Sequence, residues 1–309
     1  MGMVLQVVLL AVGFLMLVKG ADYFVEGAAG IADKFGIPQL VIGLTIVAMG
    51  TSAPEAAVSI TAALKGNAGI TIGNVVGSNI FNVFVILGIT ACIIATAVAD
   101  STIKIELPFM VGITLVLAAL GMSGENVNLW EGIILLVLFV AYLTYLFVMA
   151  MKQRQDVEEE EEQRPLWKLI LFAVLGLAVV VWGSDITVDA AVNIAGRIGI
   201  SQRVIGLTIV AAGTSLPELV TSISAARKGK ADIAIGNIVG SNIFNILFVV
   251  GLSALIIPVG FEPAFLWDTL IAAATGVILF FCVIRQKKLT RVGGIVLLLG
   301  YAAYFVYLM

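Results

Sequence analysis

Residues 41–88 and 204–251 are one stretch written twice. VIGLTIVAMGTSAPEAAVSITAALKGNAGITIGNVVGSNIFNVFVILG returns 163 residues later as VIGLTIVAAGTSLPELVTSISAARKGKADIAIGNIVGSNIFNILFVVG, with no gap and 32 identities over 48 positions. The match continues upstream, where Gly20, Asp22 and Glu26 align with Gly183, Asp185 and Asp189. The chain is therefore two related halves. Both copies are apolar enough to lie in a bilayer, yet each carries a glutamate, a proline, several hydroxyls and an asparagine-rich patch. A charged side chain at the middle of a membrane helix costs about 2.5–3.5 kcal/mol on insertion scales. A sequence that places the same carboxylate twice points to one site assembled from two halves.

Composition agrees with a membrane setting. Of 309 residues, 61% are hydrophobic and 12% charged, and the mean hydropathy is +1.13. So few charges cannot cover a soluble domain of this size, which makes the chain a polytopic membrane protein. The net charge of −3 says little about partners, because much of the acidity sits in the run Glu158 to Glu162. No basic stripe or nucleic-acid module is present, and no obligate protein partner is evident; the bilayer itself is the expected partner. The N-terminus lacks a positive region and a small-residue cleavage site, so it reads as a retained first span. Cys92 and Cys282 fall inside apolar runs and read as packing residues. The absence of histidine removes the commonest transition-metal ligand and the usual near-neutral acid–base group.

Ten apolar stretches are long enough to cross, or nearly cross, a bilayer, at roughly 3–24, 38–64, 69–96, 104–122, 128–151, 165–187, 202–227, 232–258, 264–284 and 291–309. This predicts an all-α membrane protein of ten transmembrane helices: a five-helix repeat over 1–150, an acidic linker over 151–165, and a second five-helix repeat over 166–309. An odd number of spans per repeat turns the second copy upside down. Thirteen Lys and Arg residues fall in the loops after spans 1, 3, 5, 7 and 9, against Lys65, Arg197 and Arg203 on the other side. The positive-inside rule then makes the linker cytoplasmic and both termini extracellular. The acidic linker has no EF-hand spacing and no glycine turn, so it reads as a solvated connector. Asp22, Glu26, Asp185 and Asp189 are expected near helix ends.

The chemistry lies in Gly50-Thr51-Ser52-Ala53-Pro54-Glu55. On a helix, Thr51 and Ser52 stand four and three residues before Glu55 and share its face. Pro54 donates no hydrogen bond and crowds the carbonyl of Gly50, so the helix should kink or break there. Irregular backbone at membrane depth is tolerated where it is buried in protein or lines a water-filled cavity. In the second motif, Gly73 to Asn82, Ser78 and Asn82 share a face, and Gly73 and Gly77 form a small-residue pair that permits close helix approach. The second half supplies Thr214, Ser215, Pro217, Glu218, Gly236, Gly240, Ser241 and Asn245. One copy alone would read as a structural kink. Two copies meeting antiparallel form an all-oxygen cage around Glu55 and Glu218, suited to Na⁺ and Ca²⁺. Such an anionic cage does not comfortably stand empty, which is a physical basis for obligatory exchange. GNVVGSN lacks the Gly-Lys-Ser/Thr of a phosphate loop.

GTSAPE (50–55) with GNVVGSNIFN (73–82), and GTSLPE (213–218) with GNIVGSNIFN (236–245), closely resemble the α-repeats of the cation/Ca²⁺ exchanger superfamily, in particular its prokaryotic sodium/calcium exchanger branch. The resemblance covers the ten-span plan and so the whole chain. It implies ions bound midway across the membrane between spans 2, 3, 7 and 8, with discontinuous helices at the site. Glu55 and Glu218 would be central, surrounded by Thr51, Ser52, Ser78, Thr214, Ser215 and Ser241. The backbone carbonyls of Ala48 and Ala211 would complete the set, and spans 1 and 6 would slide as a gating pair. Some relatives, including potassium-dependent ones, carry aspartate where this chain has Asn245; with Asn82 also neutral, the pattern resembles the potassium-independent one. The expected function is a Na⁺/Ca²⁺ antiporter working by alternating access, with no cofactor and no enzymatic activity. A Ca²⁺/H⁺ exchanger on the same fold, with Glu55 and Glu218 as proton carriers, is the alternative. A cation channel fits less well, because channels usually build a continuous pore from several subunits.

Overall fold

The computed structural model describes residues 2–66, 69–153, 164–197 and 211–308. These residues are almost entirely helical. In chain order they form α1 (Met3–Phe35), the bent pair α2 (Gln39–Thr51) and α3 (Ala53–Leu64), α4 (Thr71–Ile93), α5 (Thr102–Gly124) and α6 (Leu129–Lys152). The second half contributes α7 (Leu166–Arg197), α8 (Leu216–Arg227), α9 (Ala231–Ile256), α10 (Pro263–Val283) and α11 (Arg291–Leu308). Eight helices are long and apolar enough to span a membrane, and the bent pair makes up to nine among the described residues. The predicted seventh span, 202–227, lies partly outside the described residues, as do linker residues 154–163.

Two minute antiparallel ribbons reveal how the halves are related. Strand β1 (Thr96–Ala97) follows α4, and β2 (Asn126–Val127) sits beyond the far end of α5. Their counterparts 163 residues on are β3 (Val259–Gly260) and, within one residue, β4 (Lys288–Leu289). β1 pairs with β4 and β2 with β3. The membrane-long α5 separates β1 from β2, so the equivalent strands β1 and β3 lie at opposite faces of the bundle. The second half is thus inverted relative to the first. On the β1–β4 face, Lys287 donates to Asp100 at 2.8 Å and holds that exposed carboxyl below its usual range.

The two spans that carry the asparagine motifs are innermost. In the most apolar stretch of each span, 83% of α9 and 67% of α4 is buried, against 17–44% for the other long helices. α9 packs along α2, while α4 lies against α3 and α10. Gly236 and Gly240 make the α2–α9 contact possible: a Cβ on Gly240 would sit 2.7 Å from the Leu44 carbonyl oxygen. Among the described residues a Cβ on Gly73 would meet only the Phe265 ring and one on Gly77 nothing within 4 Å; residues 206 and 207, equivalent to Gly43 and Leu44, lie outside them.

α1 and α7 pack along each other more extensively than any other pair of helices. The seam is made of small residues: a Cβ on Gly20 would lie 3.0 Å from the Gly176 carbonyl oxygen, and one on Gly183 3.1 Å from that of Gly13. Both helices outrun the predicted spans 3–24 and 165–187. At 1.5 Å per residue, the 33 residues of α1 extend about 50 Å, well beyond a hydrocarbon core of about 30 Å. Asp22, Glu26, Asp185 and Asp189 therefore lie within continuous helix and not near helix ends. Their charge lowers hydropathy without breaking the helix; α1 stops where Gly36 takes φ +64° and Pro38 follows. Elsewhere local signals hold: Asn128 and Glu131 form a capping box at the start of α6.

Candidate functional site

The break expected at Pro54 occurs two residues earlier, at Ser52. α2 and α3 meet there at 50°, with Pro54 in the first turn of α3, where a missing N–H costs nothing. In the second half a helical turn, Ala211–Gly213, precedes α8, whose N-cap is Ser215 and whose first turn holds Pro217 and Glu218. Each glutamate thus opens a helix at a break, and both are fully buried.

The halves exchange their serines. Ser52 donates to Glu218 Oε1 at 2.8 Å, and Ser215 donates to Glu55 Oε1 at 3.1 Å. Thr51 and Thr214 flank the same carboxylates, Glu218 and Glu55 respectively. Ala48 O is approached by Thr51 Oγ1 and by Ser241 Oγ, each at 3.3 Å. Ser78 and Ser241 are both buried. Ala211 opens its helical turn, and its backbone alone is described.

Asparagines hold the two motifs together. Asn82 donates to Asn242 Oδ1 at 3.0 Å and Asn245 to Asn79 Oδ1 at 3.1 Å. Asn79 and Asn242 donate to each other's backbone carbonyls, both at 3.1 Å. Asn74 reaches Glu55 O at 3.2 Å and Ser59 Oγ at 2.9 Å; Asn237 reaches Glu218 O at 3.3 Å and Ser222 Oγ at 2.9 Å, and accepts from Thr51 at 3.0 Å. Sequence reasoning assigned roles to Asn82 and Asn245 but none to Asn74, Asn79, Asn237 or Asn242. Their signal was present, since each is duplicated at the common spacing of 163. Directly after Phe81 and Phe244 the helices widen into π turns, Asn82–Leu87 and Asn245–Val250. Such turns cluster at functional sites, and nothing in the sequence marked them.

Four buried oxygens at this centre have no partner among the described residues: Glu55 Oε2, Glu218 Oε2, Asn82 Oδ1 and Asn245 Oδ1. Buried polar atoms are ordinarily satisfied. Two carboxylate and two amide oxygens left unpaired, beside hydroxyls and the Ala48 carbonyl, form a hard-oxygen cluster with two formal negative charges. Ten of the twelve residues expected at the site converge there; Ser78 is buried on α4, and Ala211 stands on the approach to Glu218.

Thr51, Asn237 and Gly240 are buried and Thr214, Asn74 and Gly77 half-buried; residues 206–210, the counterpart of the α2 segment Gly43–Val47, lie outside the described residues. On the linker face, charged pairs line a cavity of about 400 Å³ between α1 and the start of α9. Arg164 pairs with Glu26, Lys228 lies 3.9 Å from both Asp22 and Glu26, and Lys230 lies 3.3 Å from Asp33. Ser224 of α8 donates to Asp22 at 2.7 Å, tying α8 to α1.

Broken helices from two inverted halves, meeting at a duplicated buried carboxylate, define an inverted-repeat membrane ion carrier. The family model described as "Sodium/calcium exchanger protein" matches residues 5–148 and 168–309, and the chain belongs to that family, in its prokaryotic branch. It is 39% identical over 313 residues to the putative antiporter CaxA of Alkalimonas amylolytica, covering 98% of each chain. It is 34% identical over 340 residues to the sodium/calcium exchanger MaX1 of Methanosarcina acetivorans, covering 97% of each. The solved structure of the sodium-calcium exchanger NCX_Mj, soaked with zero Na⁺ and Ca²⁺, superposes with a TM-score of 0.87 at 31% identity, covering 100% of both chains. The chain is a multi-pass membrane transporter of the cation/Ca²⁺ exchange class, not an enzyme, and needs no cofactor beyond the ions it carries.

Proposed function

We propose that this protein exchanges Na⁺ for Ca²⁺ by alternating access, both ions competing for the cluster between Glu55 and Glu218. The four unpartnered buried oxygens carry the reading. Two carboxylates neutralise one Ca²⁺ or share Na⁺ ions, and neutral oxygens from Thr51, Ser52, Ser78, Asn82, Thr214, Ser215, Ser241, Asn245 and the carbonyls of Ala48 and Ala211 complete the coordination. An empty cage would leave two charges buried without counter-ions, a cost of several kcal/mol per ion. Movement between states is therefore favoured only when cations fill it, which couples the two fluxes.

The two repeats, 1–150 and 166–309, form the halves of the carrier, and residues 151–165 connect them in the cytoplasm with both termini outside. In that orientation Asn74, Gly77 and Thr214 lie on the extracellular side of the glutamates, and the ion pairs around Asp22 and Glu26 ring the cytoplasmic end. α1 and α7, interlocked along their small-residue seam, slide together as the gate across the rest of the bundle. The neutral Asn82 and Asn245 support exchange that does not require K⁺.

The test is uptake of radiolabelled Ca²⁺ into proteoliposomes preloaded with Na⁺, K⁺ or choline, or bearing a pH gradient. Uptake that requires internal Na⁺ supports the proposal; uptake driven by the pH gradient alone replaces it with proton coupling through the same glutamates. Glu55→Gln and Glu218→Gln should each abolish exchange in a protein that still folds. Near-normal transport in either would sink the two-carboxylate site.

A further inference from the structure

Asn237 of α9 borders the oxygen cluster and is fully buried. Its neighbours dictate which way its amide points. Nδ2 donates to the Glu218 backbone carbonyl at 3.3 Å and to Ser222 Oγ at 2.9 Å. A backbone carbonyl accepts and never donates, so turning the amide over would set Oδ1 against the Glu218 carbonyl oxygen with no proton between them. Oδ1 therefore faces Thr51, and Thr51 is the donor in the 3.0 Å bond between them.

That direction matters for a cation. A hydroxyl binds a metal ion through an oxygen lone pair, so its proton has to rest on another acceptor while the ion is bound. Among the described residues Thr51 Oγ1 has three acceptors in reach: Asn237 Oδ1 at 3.0 Å, the Ala48 carbonyl at 3.3 Å, and the Glu218 carboxylate that it flanks. Ala48 O and Glu218 belong to the proposed ion cage, and a cation held by those oxygens repels a proton shared with them. Of the three, only Asn237 Oδ1 stands outside the cage. We propose that Asn237 is a positioning residue for ion binding: it takes the Thr51 proton at Oδ1, so the hydroxyl meets the cation with its lone pairs and without first giving up a hydrogen bond. This inference rests on the reading of the Glu55–Glu218 cluster as the ion cage, and it adds a residue that acts through Thr51 without touching the ion.

The test is a double-mutant cycle on the full chain in proteoliposomes, reading the half-saturating Ca²⁺ concentration and the rate at saturation. Thr51→Val removes the hydroxyl and should raise half-saturating Ca²⁺. Asn237→Leu keeps the hydroxyl but sends its proton to Ala48 O or Glu218, a bond that ion binding must then break. Half-saturating Ca²⁺ should rise about tenfold, while the rate at saturation changes little. In the Thr51→Val background, Asn237→Leu should add no further shift. Ser222→Ala is the packing control: the Glu218 carbonyl still fixes the amide, so it should lower Tm without moving half-saturating Ca²⁺. Asn237→Ala carries the same cycle should Asn237→Leu fail to fold. A shift of equal size with and without the Thr51 hydroxyl, or none in either background, overturns the role of Asn237 and leaves the cage standing. Normal half-saturation in Thr51→Val removes Thr51 from the cage and overturns both. Uptake is driven by whichever gradient, Na⁺ or pH, the unmodified protein uses, so the cycle reads the same if proton coupling replaces Na⁺.

Discussion

Asn237 and Asn74 are pseudo-equivalent residues that should not be equally costly to lose. Asn237 is fully buried and makes three hydrogen bonds, to Thr51, to the Glu218 carbonyl and to Ser222. Leucine has a similar shape and removes all three. Thr51 can turn fully to Ala48 O, already 3.3 Å away, and Ser222 can turn to its own helix, so part of the loss is recovered. With a net contribution of about 1 kcal/mol per bond and a penalty for any buried group left unpaired, Asn237→Leu should destabilise by about 2–4 kcal/mol. Asn74 makes two such bonds from a half-buried position, where water can replace it, so Asn74→Leu should cost about 1–2 kcal/mol. Thermal melting in one lipid–detergent mixture should therefore rank Asn237→Leu below Asn74→Leu by a few degrees. Equal losses, or the reverse order, would mean that Asn74 is held as firmly as Asn237, and the argument would fail.

Asn245→Asp removes the amide donated to Asn79 and adds a third negative charge to the cluster. It should change cation preference or the pH dependence of exchange, measured as Ca²⁺ uptake against Na⁺, K⁺ and pH; an unaltered profile would place Asn245 outside the ion path. Single cysteines at Glu125 and Lys288, introduced with Cys92 and Cys282 replaced by alanine, test orientation: an impermeant maleimide applied outside should label only the first. Labelling of Lys288→Cys instead would invert the proposed topology.

Much of the candidate site could be read before any coordinates, because duplication makes chemistry visible. Glu55 and Glu218 stood out as repeated charges in apolar sequence, Thr51 and Ser52 followed from helical spacing, and Pro54 announced the break. The asparagines that brace the site were harder to read. Asn79 and Asn242 act by bonding each other's backbone across the two halves, a relation between residues 163 apart that neither local spacing nor hydropathy encodes. The π turns after Phe81 and Phe244 escaped for a different reason: no residue there has a backbone preference that marks them. Span ends were misread where charge was taken for a boundary. α1 runs through Asp22 and Glu26 because partners across the bundle, Lys228 and Arg164, make those charges tolerable.

By itself the sequence determined a helical membrane protein of two related halves, with a carboxylate, hydroxyls and an asparagine motif offered twice. Those are consequences of composition and periodicity, which act within a single helix. Only the tertiary structure decided that each serine serves the opposite half's glutamate, and that Asn79 and Asn242 bond each other's backbone. Those are relations between residues about 160 apart in the chain, and they exist only once the inverted halves have packed.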